Sequence, residues 1–109
     1  NSTCETNERV RTLGYRIVGW HVDSCDWGYD GPSGLTAAEA LSCGVLAPYR
    51  HDFVGHVVAS VRAHRGGIVL MHETQHISVD NLDTLITKLE TEGYRFSTPV
   101  APEFATSLR

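Results

Sequence analysis

Two apolar segments that end in ionisable residues constrain the fold of this chain most strongly. Residues 15–22 are rich in β-branched and aromatic side chains and lead into Asp23 and Asp26. A later segment, residues 68–71, is continuously apolar and ends at His72. Parallel strands present such residues together at their carboxyl ends, where α/β enzymes hold their catalytic groups. The two segments therefore predict an α/β protein with a site at one edge of its sheet.

Helical segments alternate with these predicted strands. Gly14 ends a first helix, Asp52 caps a second whose apolar residues recur at helical spacing, and Asp80 caps a third. A last strand is predicted over residues 94–98. The order α-β-α-β-α-β indicates three parallel strands covered by helices. Three strands leave both sheet edges open, so the pattern is typical of one portion of a larger barrel or sheet.

The segment between the first strand and the second helix is long and rich in glycine and proline. It covers residues 28–50, with a short helix predicted over residues 36–41. Loops of this length inside a compact domain are usually functional.

Three cysteines, Cys4, Cys25 and Cys43, form no C-x-x-C pair, which argues against a zinc knuckle. A disulfide between Cys25 and Cys43 would tie the long loop to the acidic motif and would indicate an oxidising compartment. Three separate reduced thiols are the alternative that the sequence leaves open.

Length, charge and hydropathy indicate a small single domain and argue against a nucleic-acid-binding or membrane-spanning protein. The 109 residues suffice for one small domain. A net charge of −4 argues against a nucleic-acid partner, because phosphate binding needs clustered Lys and Arg. The sequence has no apolar run of about 18 residues, so no membrane span is predicted.

Each candidate residue also has an ordinary structural explanation. One of Asp23 and Asp26 would cap a turn and the other would be solvated. Trp27 is typical of a core or rim aromatic, and His72 alone suggests a hydrogen-bonded core histidine. His72 and His76 have the i,i+4 spacing of a helical metal pair, but the residues between them do not favour a helix.

The remaining histidines are predicted to have no part in the site. His21 is expected to be structural because it lies within the first strand segment. The others are assigned to loops or helix surfaces: His51, His56 and His64.

Together, the two strand ends resemble motifs of one enzyme family. Residues 23–27 read D-S-C-D-W and residues 70–72 read L-M-H. They are similar, in this order, to the D-x-x-D-W and L-x-H motifs of the NodB-like polysaccharide deacetylases, carbohydrate esterase family 4. The resemblance covers about residues 5–98 and extends to the lead-in segments and the last helix and strand, residues 14–20, 66–72 and 85–96.

The resemblance implies a hydrolase that removes N-acetyl or O-acetyl groups from a polysaccharide such as chitin or peptidoglycan. His72 would protonate the leaving amine, and Asp26 would orient its imidazole. Leu70 and Trp27 would line the pocket for the acetate methyl group, and Asp23 is assigned with them to substrate binding. Such enzymes act on cell walls, so the resemblance implies a secreted, extracellular or periplasmic protein.

The same family holds a divalent metal through one Asp and two His and uses a second Asp as base. The motifs that carry these residues, T-F-D-D, H-x-x-H and R-x-P-Y, are absent from this sequence. Residues 1–109 are therefore predicted to be the C-terminal half of a distorted (β/α) barrel, without metal ligands of their own. The expected metal is zinc, with cobalt or nickel as alternatives. The expected partner is the N-terminal half, and the isolated chain is predicted to be inactive.

The missing ligands also permit a second hypothesis. A degenerate deacetylase half would serve as a non-catalytic carbohydrate-binding or assembly module. A related possibility is self-association that covers the open sheet edges. The Asp26, Trp27 and His72 set favours the catalytic hypothesis, because a binding module does not need a general acid.

Overall fold

A computed structural model describes residues 2–15, 17–31 and 34–98 of the chain. These residues belong to two compact units. One unit is His21–Phe96, and the other combines Asn1–Trp20 with Ser97–Arg109.

Among the described residues of the unit that contains the N-terminal segment there is one helix, α1, Ser2–Thr12. The helix ends as predicted at Gly14, which adopts a φ of 90°. The backbone N–H of Tyr15 then donates to the carbonyl of Val10 at 3.2 Å, a helix-ending bond that a left-handed glycine permits.

The larger unit carries two strands and five helical segments. In chain order they are β1 Val22–Asp23, α2 Asp26–Tyr29, α3 Ala37–Cys43, a 3₁₀ helix Ala47–Tyr49, α4 Phe53–His64, β2 Val69–Leu70 and α5 His76–Thr91. The described residues thus form a mixed α/β structure around a small parallel sheet. No helix among them is both long and apolar enough to cross a membrane.

The sheet consists of β1 and β2, which pair in parallel. Val22 lies opposite Val69, and Asp23 lies opposite Leu70. Because the strands run in the same direction, the residues that follow them emerge at the same edge, as the sequence predicts. β2 is half-buried, so the prediction that its apolar run is buried on both faces is wrong.

The predicted strands are longer than those in the structure. Of the strand expected over residues 15–22, the structure has an isolated bridge residue at Val18 and the strand residue Val22. The ladder continues to Asp23, and Arg16 lies outside the described residues. The strand predicted over residues 94–98 is wrong, because these residues form no ladder. Side-chain pattern favours an extended backbone but does not supply the partner strand that a ladder requires.

Helix α4 begins as predicted, with the Asp52 carboxylate accepting a hydrogen bond from the N–H of Gly55 at 2.9 Å. Its buried face contributes to one core with β1 and α5. The buried residues of α4 are Phe53, His56, Val57, Val58 and Val61. His56 is therefore not on the helix surface, and the surface assignment made for it is wrong. A histidine is stable there only if its ring nitrogens find partners.

Helix α5 begins four residues before the predicted cap, so the assignment of Asp80 as its N-cap is wrong. The residue that follows α2 stabilises the earlier start. The Asp30 carboxylate accepts a hydrogen bond from the N–H of Ile77 at 2.9 Å, which satisfies a donor in the first turn of α5. Further along the helix, Leu85 and Leu89 join the core.

His21 and Gly67 show why a glycine lies beside the sheet. The N–H of Ile68 donates to Nδ1 of His21 at 2.8 Å, which agrees with the structural role predicted for this histidine. Gly67 has a φ of 111°, and a Cβ atom there would lie 2.8 Å from the same ring nitrogen. A side chain at position 67 would therefore displace the His21 ring.

The long segment over residues 28–50 is more ordered than its composition indicates. The predicted short helix is present as α3, and Thr36 and Glu39 form a reciprocal capping box at its start. A disulfide joins Cys43, at the end of α3, to Cys25, which immediately precedes α2. Of the two alternatives that the sequence left open, the disulfide is therefore correct and that of three reduced thiols is wrong. The disulfide ties the long segment to the turn that follows β1.

The Cys25–Cys43 bond is expected to contribute strongly to stability. It closes a loop with a sequence separation of 18 residues. Cross-links of this span restrict the unfolded chain and stabilise the fold by about 3 kcal/mol. The Cys43→Ala variant should therefore unfold at a lower urea concentration than the oxidised wild type. Reductant should lower the wild-type midpoint but not that of the variant, and equal midpoints for the oxidised proteins would contradict the prediction.

Candidate active site

The candidate site lies where the chain leaves β1 and β2. After β1 the backbone turns through Cys25, which adopts a left-handed conformation with a φ of 55°, and Asp26 begins α2. Two residues after Leu70 at the end of β2 comes His72. The parallel register of the strands thus brings two residues 46 positions apart into contact.

The Asp26 carboxylate is the centre of the site. Its side chain has no solvent exposure. Oδ1 accepts hydrogen bonds from the Trp27 N–H at 2.9 Å and from Nδ1 of His72 at 2.9 Å. Oδ2 accepts from the His72 N–H at 2.6 Å and from Oγ of Ser78 at 2.7 Å. These bonds fix the position of both carboxylate oxygens and compensate the burial of a charge.

The surroundings of Asp26 favour its ionised form. Burial raises the pKa of the carboxyl, but the hydrogen bonds from Ser78 and His72 and the charge of the imidazolium outweigh burial. The pKa of Asp26 therefore lies below its ordinary value of 3.8. The carboxylate remains an acceptor throughout the neutral range.

His72 is held on one side and open on the other. An ionised carboxylate only accepts hydrogen bonds, so Nδ1 of His72 must carry the hydrogen that points to Asp26. The side chain is 46% exposed. Its Nε2 makes no hydrogen bond to any residue that the structure describes. The neutral ring therefore presents an unprotonated Nε2, and the protonated ring presents an N–H donor at the same position.

The other predicted site residues lie beside this pair. Trp27 follows Asp26 in α2 and is 46% exposed, and Leu70 is half-buried at the end of β2. Oδ1 of Asp23 accepts a hydrogen bond from the Cys25 N–H at 2.9 Å. The Asp23 side chain thus stabilises the turn after β1, the role that the ordinary explanation gave to one of the two acids.

Two residues that contact the site are missing from the sequence-based prediction. Ser78 in α5 donates to Asp26, and Nε2 of His56 in α4 lies 3.0 Å from the carbonyl oxygen of Asp23. His56 shares a helix face with the apolar residues of α4, and this position was a usable signal of burial. Ser78 offered no signal, because its contact joins residues 52 positions apart.

The described parts of the chain contain no group of three or more His, Cys, Asp or Glu side chains arranged to hold a metal ion. His72 precedes α5 and His76 is its first residue, so the two do not share a helix. The Nδ1 atom of His72 is committed to Asp26. The residues described therefore do not fit a metal centre of the kind that the family resemblance implies.

Acid is expected to weaken the fold through Asp26. Because its folded pKa lies below the unfolded value, the ionised carboxylate stabilises the fold above about pH 4, and this contribution is lost as the pH falls through the folded pKa. Urea unfolding from about pH 6 to pH 2 should show a steeper loss of stability for the wild type than for Asp26→Asn. Ser78→Ala should be intermediate, and parallel curves for all three proteins would contradict the assignment.

No protein-family model and no solved structure matches the chain. The chain is 31% identical over 86 residues to the peptidoglycan-N-acetylglucosamine deacetylase PgdA of Listeria monocytogenes serotype 1/2a, which is 79% of this chain and 14% of that protein. It is 29% identical over 89 residues to the peptidoglycan-N-acetylmuramic acid deacetylase PdaA of Bacillus subtilis, which is 82% of this chain and 27% of that protein.

The chain therefore spans well under half the length of these curated relatives. Most of its own length is nevertheless included in both alignments. The relatives are both deacetylases, in agreement with the resemblance carried by D-x-x-D-W and L-x-H. The chain is thus a distant homologue of peptidoglycan deacetylases, and the similarity supports its place in a polysaccharide deacetylase family.

Proposed function

We propose that this chain forms part of a deacetylase that removes N-acetyl groups from a peptidoglycan-type polysaccharide. The observation that carries the proposal is the hydrogen bond between the buried Asp26 carboxylate and Nδ1 of His72, at 2.9 Å, on a ring that is otherwise exposed. The proposal assigns His72 as the general acid and Asp26 as the residue that orients it.

The chemistry of amide hydrolysis explains the need for such a pair. The nitrogen of an amide leaves poorly as an anion, so it must receive a proton as the carbon–nitrogen bond breaks. Asp26 holds the hydrogen on Nδ1 and thereby makes Nε2 the nitrogen that exchanges a proton with the substrate. The carboxylate also stabilises the imidazolium ion before it gives up that proton.

Leu70 and Trp27 are proposed to receive the acetyl group. Both adjoin the acid pair along the chain, and Trp27 exposes an apolar surface that suits a methyl group or a sugar ring. Asp23 is proposed to contact the substrate through Oδ2, because Oδ1 is engaged by the turn.

A divalent metal is proposed to act with these residues but to be held by other parts of the catalytic domain. Zinc, cobalt and nickel suit imidazole and carboxylate ligands. When bound, such an ion polarises an acetyl carbonyl and activates water. The described residues of this chain supply only the acid and the pocket in this proposal.

The substrate class and the location are inferred from the relatives and the disulfide. The names of both relatives specify peptidoglycan, so a peptidoglycan-type glycan is proposed ahead of chitin. The Cys25–Cys43 bond is typical of proteins that fold in an oxidising compartment. We therefore infer that the protein acts outside the cytoplasm, where cell-wall polymers are found.

A hybrid enzyme tests the proposal. The 86 aligned residues of the Listeria protein are replaced by the aligned residues of this chain, and acetate release is measured on N-acetylated peptidoglycan fragments and on chito-oligosaccharides. The proposal predicts acetate release from the peptidoglycan fragments and its loss on metal chelation. A folded hybrid that releases no acetate while the parent enzyme does would contradict it.

The isolated chain provides a second arm that does not depend on folding of the hybrid. Calorimetry with the same saccharides distinguishes the catalytic proposal from a carbohydrate-binding module. The catalytic proposal predicts no measurable binding by the chain alone, since most of the substrate groove lies elsewhere. Strong binding by the isolated chain would favour the module.

A further inference from the structure

We infer that His56 is a positioning residue that sets the geometry of the Asp26–His72 pair by holding the carbonyl oxygen of Asp23. The catalytic meaning of this inference rests on the proposed function. The positioning itself concerns only contacts within the chain and is testable without activity.

The contact between α4 and the end of β1 carries the inference. His56 is 3% exposed, and its Nε2 lies 3.0 Å from the Asp23 carbonyl oxygen. A carbonyl oxygen only accepts hydrogen bonds, so Nε2 of His56 must carry the hydrogen. The bond joins residues 33 positions apart and reaches the last residue of β1.

The His56 ring is fixed by its other neighbours. Its Nδ1 lies 3.4 Å from Oγ of Ser60, one turn along α4. One face stacks on the Tyr29 ring, with centroids 6.2 Å apart and an interplanar angle of 27°. Tyr29 is itself held, because its hydroxyl donates to the carbonyl of Tyr49 at 2.6 Å. The ring nitrogen that contacts Asp23 therefore has little freedom to move.

The held carbonyl controls the turn that delivers Asp26. Asp23 is three residues before Asp26, and only Ser24 and the left-handed Cys25 lie between them. The N–H of Ser24 donates to the Leu70 carbonyl at 3.3 Å, which ties the turn to β2 on its other side. If the Asp23 carbonyl loses its hydrogen bond to His56, the turn is anchored only on the side of β2. A displacement of about 1 Å at Asp26 suffices to misalign His72 for proton transfer.

An apolar side chain would fill the same volume in the core but would not donate to Asp23. The remaining buried residues of the α4 face are apolar, so packing alone does not require histidine at this position. The donor function of the imidazole is the feature that distinguishes His56 from its neighbours. The donor function of His56 can be tested separately from its packing with a side chain whose N–H also reaches the Asp23 carbonyl oxygen.

Three variants of the 109-residue chain test the inference. His56→Gln retains a side-chain N–H that reaches the position of Nε2, His56→Leu retains volume without a donor, and His56→Asn has a donor that is too short to reach. The readouts are the NMR titration of the Asp26 carboxyl and the downfield proton signal of the His72 Nδ1–H. Thermal unfolding of each variant reports stability separately.

We expect His56→Leu and His56→Asn to shift the Asp26 titration upward towards its ordinary pKa and to broaden or abolish the His72 signal. His56→Gln should preserve both. A purely structural role would lower the melting temperature without changing either signal in the folded protein, and that result would overturn the inference. If His56→Leu does not fold, the comparison of His56→Asn with His56→Gln decides the matter.

The same substitutions in the hybrid enzyme connect positioning to turnover. His56→Leu is expected to lower kcat by about tenfold with little change in KM, and His56→Gln to restore most of the rate. If the hybrid proves inactive, the proposed function fails, but the NMR comparison still tests positioning. If the NMR signals are unchanged in an active hybrid, positioning fails and the deacetylase proposal stands.

Discussion

The His72→Ala variant of the hybrid deacetylase is expected to release acetate about 10²- to 10⁴-fold more slowly than the hybrid with His72, the range that general-acid catalysis contributes. The loss should appear in kcat, with KM little changed, because the proton is needed in the transition state rather than in the bound substrate. The expectation follows from the exposed Nε2 of a ring whose Nδ1 is held by Asp26.

His64 provides the matched control for this measurement. It is exposed on α4, and its Nδ1 lies 2.8 Å from the carbonyl oxygen of Ser60 in its own helix. His64→Ala should leave the rate within about twofold of the parent hybrid, as is usual for surface substitutions. Full activity of His72→Ala would show that the acid is another group, and an equal loss in both variants would point to general damage.

The Asp26→Ala variant is expected to lose about 3 kcal/mol of stability, because it removes a buried carboxylate that accepts several hydrogen bonds, each worth about 1.5–3 kcal/mol to a charged group. The carboxylate accepts from the Trp27 N–H, the His72 N–H and side chain, and the Ser78 hydroxyl. Its removal leaves these donors without their acceptor around a position that has no solvent exposure. Urea unfolding of the 109-residue chain near neutral pH measures the effect.

Two further variants make this prediction specific. Asp26→Asn retains one acceptor oxygen, so its loss of stability should be smaller than that of Asp26→Ala. Asp83 is exposed on α5, and Asp83→Ala should change stability by no more than about 0.5 kcal/mol. A change at Asp26 as small as that at Asp83 would mean that the hydrogen-bonded carboxylate does not stabilise the fold.

The pairing of Asp26 with His72 was accessible from the sequence for a physical reason. Two apolar runs in an alternating α/β pattern predict parallel strands, and parallel strands direct their carboxyl ends to one edge. Residues that follow the two strands must then be close, whatever their separation along the chain. The motif resemblance singles out Asp26 and His72 among these residues, and their 2.9 Å contact lies at the edge where the pattern predicts it.

Features that depend on distant partners were not accessible in the same way. The start of α5 depends on Asp30, which is 47 positions from the N–H that it accepts. The buried location of His56 depends on a carbonyl at the end of β1, and the state of Cys25 depends on how close α3 brings Cys43. Local propensity describes the backbone that each segment prefers, but these contacts arise only when separate segments pack together.

The strand lengths illustrate the same limit. Residues 94–98 have the composition of a strand, but the Tyr94 N–H donates to Leu89 at the end of α5 and no ladder forms there. β1 and β2 are likewise limited to the residues that face each other. Pairing rather than propensity sets the extent of this sheet.

The orientation of His72 by Asp26 can be tested by measuring the His72 tautomer with two-bond ¹H–¹⁵N NMR on the 109-residue chain. We expect the neutral ring to carry its hydrogen on Nδ1 and to leave Nε2 unprotonated, and Asp26→Asn to alter this pattern. A neutral ring with its hydrogen on Nε2, unaffected by Asp26→Asn, would contradict the assignment of His72 as a carboxylate-oriented general acid.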